Sequence, residues 1–143
     1  MSKSPPASAH SQPATHRAVR RQHRVERMED YVEAIYRLEE EGTEVRIVAL
    51  QGVFGVSHVT VIRALDRLAK EGLVSRGKKG IRLLEKGRRL AIACYERHRT
   101  VEAFLRALGV SAEVARRDAE GIEHHLGGET LAAMERFVAR EKS

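Results

Sequence analysis

The sequence has few of the residues that build disulfide scaffolds or aromatic cores. Among 143 residues there is one cysteine, Cys94. A lone thiol closes no internal disulfide, which excludes a stapled secreted scaffold and fits a reducing cytoplasm. Tryptophan is absent and aromatics make up 4%, so the core must come from Leu, Ile, Val and Ala, a composition that leans helical. No apolar run approaches the ~18–20 residues that span a bilayer, and the first 27 residues hold no apolar stretch of the kind that directs secretion. Also missing are a His-Glu-x-x-His motif, an evident nucleophile–base set and a Gly-rich phosphate cradle. Those absences argue against a metallohydrolase and against an enzyme in general.

With 42% hydrophobic residues, the chain suffices for one ordinary domain or two small ones sharing a long helix. The net charge is +6, and its distribution is uneven. Residues 1–27 carry a net +5, 28–44 a net −6, 63–99 a net +8 and 101–135 a net −4. A basic block between two acidic ones suggests one surface for a polyanion and another for cations; ordinary charge fluctuation on solvated helices is the plainer alternative.

Residues 1–24 are rich in Ser, Pro, Ala, His, Arg and Gln, contain all three prolines, and show no hydrophobic period. They read as a disordered basic tail. From Val25 to about Glu41, Met28, Tyr31, Val32, Ile35, Tyr36 and Leu38 recur at helical spacing, and Gly42 ends that helix. Val45–Phe54 reads as a second, short helix. Gly55-Val56-Ser57 is a turn, with Ser57 a good N-cap for a third helix over His58–Lys70 whose inward positions are Val61, Ile62, Leu65 and Leu68. Leu73–Arg76 and Ile81–Leu83 flank Gly77-Lys78-Lys79-Gly80, a hairpin signal. A long helix is expected over Glu85–Leu108, another from a Ser111 cap to about Leu126, and a last one over Glu129–Arg140.

Helix, turn, helix and basic hairpin in that order are the layout of a winged helix-turn-helix. The third helix would present its N-terminal residues to base edges in the major groove. Ser57, His58, Thr60 and Arg63 lie on that side, while Arg67 fits a backbone phosphate. Lys78, Lys79 and Arg82 charge the hairpin, whose flanking glycines allow close approach to phosphates. A three-helix bundle with a solvated basic face is the alternative that the hairpin argues against.

Glu120, Glu123 and His124 stand at i, i+3 and i+4, close enough around a helix to converge on one ion. Asp30 and Glu33 share a face upstream, and His98 lies on the long helix between. Carboxylates with imidazoles suit a first-row divalent metal, and six such groups could make a two-ion site. Spacing alone leaves open that these are solvated surface groups.

Four blocks in order carry a resemblance: Met28-Glu29-Asp30-Tyr31-Val32-Glu33; Gly55-Val56-Ser57 through Gly72-Leu73-Val74; Arg97-His98 with Val101–Leu105 and Leu108-Gly109-Val110; and Asp118-Ala119-Glu120-Gly121-Ile122-Glu123-His124-His125. Over roughly residues 28–140 the chain resembles the manganese transport regulators of the iron-dependent (diphtheria toxin) repressor family. The resemblance implies metal ligands at Asp30, Glu33, His98, Glu120, Glu123 and His124, two Mn²⁺ ions per subunit, a homodimer through the C-terminal helices, and repression of manganese uptake genes at a palindromic double-stranded operator. Iron-responsive members use sulfur ligands where this sequence has Asp30 and Glu120. Hard oxygen there favours Mn²⁺, although the intrinsic affinity order does not. An iron- or zinc-responsive repressor and a metal-independent winged-helix protein remain the rival readings. Departures from the pattern are Gly52 inside the second helix, a short wing without an aromatic, and Leu84 in place of a capping Thr.

The expected architecture is therefore mainly α: a disordered basic tail (1–24), a winged helix-turn-helix domain with a small β-hairpin wing (25–84), and an all-α metal-binding and dimerisation domain (85–143) joined to it by the long helix. The expected protein is cytoplasmic and has no membrane partner.

Overall fold

The computed structural model describes the backbone of residues 13–143 and side chains from Arg27 onward. Its elements in chain order are α1 (Pro13–Glu40), α2 (Ile47–Phe54), α3 (His58–Lys70), β1 (Val74–Gly77), β2 (Gly80–Leu83), α4 (Glu85–Ala107), α5 (Ala112–Ile122), a 3₁₀ turn (Glu123–His125) and α6 (Gly128–Glu141).

Helix α1 begins at Pro13 rather than Val25, so the expected disordered tail is helical over its second half, while residues 1–12 lie outside the described residues. Periodicity misses this segment because it has no apolar face. Helix propensity does not require one, since Ala, Arg and Gln are good formers and Pro is well tolerated at a first helical position.

The main core lies where α1, α2, α3 and the hairpin meet. Val32, Ile35, Leu50, Val61, Leu65 and Leu68 are fully enclosed, with Leu73, Val74, Ile81 and Leu83 from the hairpin region closing the layer. Tyr31 stacks on Phe54 with ring centroids 4.3 Å apart. In α3 the inward set is Val61, Ala64, Leu65 and Leu68, with Ile62 only half-buried. Helix α2 is shorter than its apolar residues suggest. Val45 leaves it to form an antiparallel bridge with Ile81, accepting the Ile81 N–H at 2.9 Å, while Val48 and Val53 are exposed.

Helices α2 and α3 meet at 108°, within the range of a helix-turn-helix. The turn depends on Gly55, whose φ of 63° places it in the left-handed region that favours glycine. Strands β1 and β2 pair antiparallel from Val74↔Leu83 to Gly77↔Gly80, which leaves Lys78 and Lys79 as the two-residue tip. Together these elements form the expected winged helix-turn-helix.

Helix α4 carries the chain out of that domain. Its first turn lies against the wing through Gly87, where an added Cβ would fall 2.1 Å from the Leu73 carbonyl oxygen. Its N-cap, Leu84, makes no side-chain cap bond, as the missing Thr led one to expect. Helices α5 and α6 both pack on α4, with Phe104 and Phe137 edge to face at 5.4 Å. Ser111 occupies the N-cap position of α5 but makes no side-chain cap bond. Among the described residues, no single helix is long and apolar enough to cross a membrane.

Candidate metal centre and nucleic-acid interface

Helix α5 stops at Ile122, and Glu123–His125 form a 3₁₀ turn rather than the continuation expected to Leu126. Glu120, still within α5, is exposed, whereas Glu123, the first residue past it, is 1% exposed. His125 is exposed as well.

A cleft of about 780 Å³ opens between α1, α4 and α5, and all six expected ligands line it: Asp30, Glu33, His98, Glu120, Glu123 and His124. At its floor, ligand atoms of Glu33, Glu123 and His124 lie within 4.8 Å of one another. His124 Nε2 lies 3.2 Å from Asp30 Oδ1 and 3.2 Å from Glu123 Oε1. His98 Nδ1 is 3.5 Å from Glu123 Oε2, and its Nε2 is 3.4 Å from Glu102 Oε2. Five of the six groups are thus joined by close contacts, and Glu120 lines the cleft from the exposed end of α5.

Two buried carboxylate oxygens, Glu33 Oε1 and Glu123 Oε2, have no hydrogen-bond partner. A buried acceptor left unsatisfied costs about 1–3 kcal/mol, more when charged, and calls for an ion or an equivalent partner. The donors are carboxylate oxygens and imidazole nitrogens, the set that suits a first-row divalent cation. The residues present therefore fit a metal.

Electrostatics point the same way. Burial, together with the neighbouring Glu33 charge, pushes the Glu123 carboxyl up to about 8. Burial also raises Glu33, against the opposing pull of His124. For His124, burial disfavours the charged ring, but the hydrogen bonds it donates to Asp30 and Glu29 outweigh it and push the imidazole up to about 10. Near neutral pH both Glu123 and His124 hold a proton that a metal must displace. Affinity for a divalent cation should therefore rise with pH, through about 8 where Glu123 loses its proton and on to about 10 where His124 does, with proton release on binding below those values. Calorimetry in buffers of different ionisation enthalpy checks this; a heat independent of buffer would contradict it.

Sequence reasoning missed three residues of this site. Glu29 is buried, and its Oε2 accepts from Arg97 Nη2 at 2.8 Å and from His124 Nδ1 at 2.5 Å. Glu102 faces His98 one helical turn away. The His98/Glu102 spacing of four was a readable signal. Nothing local marks Glu29 and Arg97 as partners, since 68 residues separate them.

Every residue expected to touch DNA is exposed: Ser57, His58, Thr60, Arg63 and Arg67 on or capping α3, Lys78 and Lys79 at the hairpin tip, and Arg82 on β2. Ser57 Oγ accepts the Thr60 N–H at 3.2 Å and lies 2.9 Å from Thr60 Oγ1. Both hydroxyls therefore also stiffen the start of α3. Arg76 on β1 bonds Asp66 on α3 at 3.2 Å, tying the wing to the reading helix.

Comparison with known proteins matches this two-part layout. A family model described as the iron dependent repressor N-terminal DNA binding domain matches residues 23–81, and one described as the iron dependent repressor metal binding and dimerisation domain matches residues 84–142. The transcriptional regulator MntR of Escherichia coli O6:H1 is 47% identical over 125 residues, covering 87% of this chain and 81% of its own length. The chain belongs to the iron-dependent repressor family. As a member it is a metal-dependent, DNA-binding transcriptional regulator. The HTH-type transcriptional regulator MntR of Geobacillus kaustophilus is 42% identical, over 69% of this chain and 71% of its own length. Among solved structures, a manganese-dependent transcriptional repressor in complex with manganese superposes with a TM-score of 0.71 at 31% identity, over 78% of this chain and 52% of that one. The manganese regulator SloR gives 0.69 at 30%, over 78% and 53%. The chain spans about half the length of these two solved proteins.

Proposed function

We propose that the protein is a manganese-activated repressor that binds a palindromic operator as a homodimer and controls genes of manganese uptake. The observation that carries this reading is the buried Glu123, set among Glu33, His98 and His124 with an oxygen left without a hydrogen bond. Asp30, Glu33, His98, Glu120, Glu123 and His124 are the proposed ligands, enough for two ions per subunit. Oxygen donors at Asp30 and Glu120, together with relatives named for manganese, favour Mn²⁺ over iron or zinc.

A bound divalent cation supplies positive charge to a cluster that otherwise repels itself. The chain's own contribution is placement. Asp30 and Glu33 sit on α1, which packs against the reading helix, whereas Glu123 and His124 belong to the C-terminal half. Drawing these carboxylates together ties one half to the other. The hypothesis is that this selects one spacing of two reading helices from a looser ensemble. A dimer through the C-terminal helices is supported by α6, which buries no residue within the single chain, and by Leu108 and Ile122, which stand 58% and 37% exposed. A base-reading role for Ser57, His58, Thr60 and Arg63, and phosphate contacts from Arg67, Lys78, Lys79 and Arg82, follow from their common exposure and charge. The protein is accordingly read as a cytoplasmic regulator rather than an enzyme or a membrane partner.

The test is a DNA-binding titration at fixed salt across Mn²⁺, Fe²⁺ and Zn²⁺, using an operator selected from random duplexes. Mn²⁺ should tighten specific binding by at least tenfold. Equal affinity with and without metal would sink the switch, and a response to Zn²⁺ or Fe²⁺ alone would reassign the metal.

A further inference from the structure

Among the described residues two charged side chains are buried, Glu123 and Glu29. The first belongs to the proposed ligands; the second, at 7% exposure, does not. Its Oε2 is occupied by two donors, Arg97 Nη2 at 2.8 Å and His124 Nδ1 at 2.5 Å. Arg97 is itself steadied by its own helix, with Nη2 3.5 Å from Cys94 Sγ one turn earlier. Three elements thus meet at one carboxylate oxygen: α1 through Glu29, α4 through Arg97 and the 3₁₀ turn through His124.

The chemistry of this junction has a direction. An ionised carboxylate only accepts hydrogen bonds, so a ring proton sits on His124 Nδ1. The other nitrogen, Nε2, then faces Asp30 Oδ1 and Glu123 Oε1, each at 3.2 Å. Glu29 is absent from the group of ligand atoms formed by Glu33, Glu123 and His124, and an oxygen already holding two N–H donors is poorly placed to bind a cation as well.

We propose that Glu29, anchored by Arg97, is a positioning residue for the metal centre: it fixes the His124 tautomer and ring orientation so that Nε2 is presented to the ion. This rests on the reading of His124 as a metal ligand. A carboxylate accepting the far N–H of a ligating imidazole locks the ring and makes it a better donor, and loss of such a partner typically lowers metal affinity 10–100-fold. Arg97 acts one step further out, holding Glu29 in a buried place that an unpaired carboxylate would not occupy.

The experiment uses the full chain, ¹⁵N-histidine labelling and Zn²⁺ as a diamagnetic probe, with Mn²⁺ affinity measured in parallel. In the wild type, Zn²⁺ should shift the His124 Nε2 resonance while Nδ1 keeps its proton; the signal is assigned by its absence in His124→Gln. Glu29→Leu should weaken both metals about 10–100-fold and lose the single-tautomer signature. Glu29→Gln keeps the shape and one acceptor oxygen, so it should lose less and retain the Nε2 shift. Arg97→Met should fall between them. Wild-type affinity and an unchanged ring signature in both Glu29→Gln and Glu29→Leu would overturn the proposal, as would a lowered metal-free melting temperature with unaltered affinity in the folded protein. A wild type whose His124 nitrogens ignore Zn²⁺ would instead overturn the metal reading beneath it.

Discussion

Replacing Glu123 by Gln is expected to stabilise the metal-free protein and to abolish its response to metal. The two effects have one origin. Glu123 is enclosed beside Glu33, and its Oε2 has no hydrogen-bond partner. In the absence of metal an ionised carboxylate there is unfavourable, which is why its pKa lies near 8 instead of 4.5. With an acid whose folded-state value is raised, the associated stability is complete below the unfolded value and is lost as pH rises through the folded one. The metal-free wild type should therefore lose stability between about pH 4.5 and about pH 8, and Glu123→Gln should flatten that decline. With metal the sign reverses. A ligand present at 100 times its Kd stabilises the folded state by about 2.7 kcal/mol, and the variant should show none of this. Metal-dependent operator affinity should vanish with it. Nonspecific, salt-sensitive DNA binding should persist, because Lys78, Lys79 and Arg82 are untouched. Thermal melts at several pH values with and without Mn²⁺ read the stability changes, and a DNA-binding titration with and without Mn²⁺ reads the rest. A variant that still shifts with Mn²⁺ would remove Glu123 from the ligand set.

The second large effect is expected at Gly87, which is not among the residues lining the cleft. Gly87→Ala places a methyl 2.1 Å from the Leu73 carbonyl oxygen, 3.0 Å from the Leu73 carbonyl carbon and 3.1 Å from Leu83 Cδ2. Two of those three atoms are backbone, so no rotamer change relieves the clash. The same Leu73 oxygen accepts the Leu84 N–H at 2.9 Å, so pushing α4 away also strains the link between wing and helix. Overpacking of this kind costs about 1–3 kcal/mol, occasionally more. At the upper end, a chain of this size should melt roughly 5–10 °C lower. Gly52→Ala is the contrasting case. Gly52 sits inside α2 with nothing within 4 Å of an added Cβ, so that substitution should stabilise by up to about 1 kcal/mol. Chemical denaturation of the two variants decides the matter. Equal and small effects would mean that α4 does not approach the wing as closely as described.

Several features are legible in the sequence itself. The periodicity of Tyr31, Val32 and Ile35, and of Val61, Leu65 and Leu68, belongs to single helices and is therefore written in local order. The Gly55 turn, the Ser57 cap and the Lys78-Lys79 tip are likewise local chemistry. The same holds for the i, i+3 pairing of Asp30 with Glu33, and even for the order of the DNA-binding and metal-binding segments. Where α1 starts was less legible, because a helix without an apolar face leaves no period to detect.

The remainder was settled between elements. Glu120 and Glu123 look equivalent on one ideal helix, but the packing of α5 and the following turn on α4 encloses Glu123 and leaves Glu120 exposed. Val45 reads as the start of a helix until Ile81 offers it a strand partner. A glycine inside a helix is ordinarily a weak point, yet close backbone approach makes Gly87 necessary. Glu29 acquires its place from Arg97 and His124, both distant in sequence. Composition and period determine which elements form and which chemical groups they carry. Desolvation, pairing and steric contact depend on the neighbour brought alongside, and only the tertiary structure supplies that neighbour.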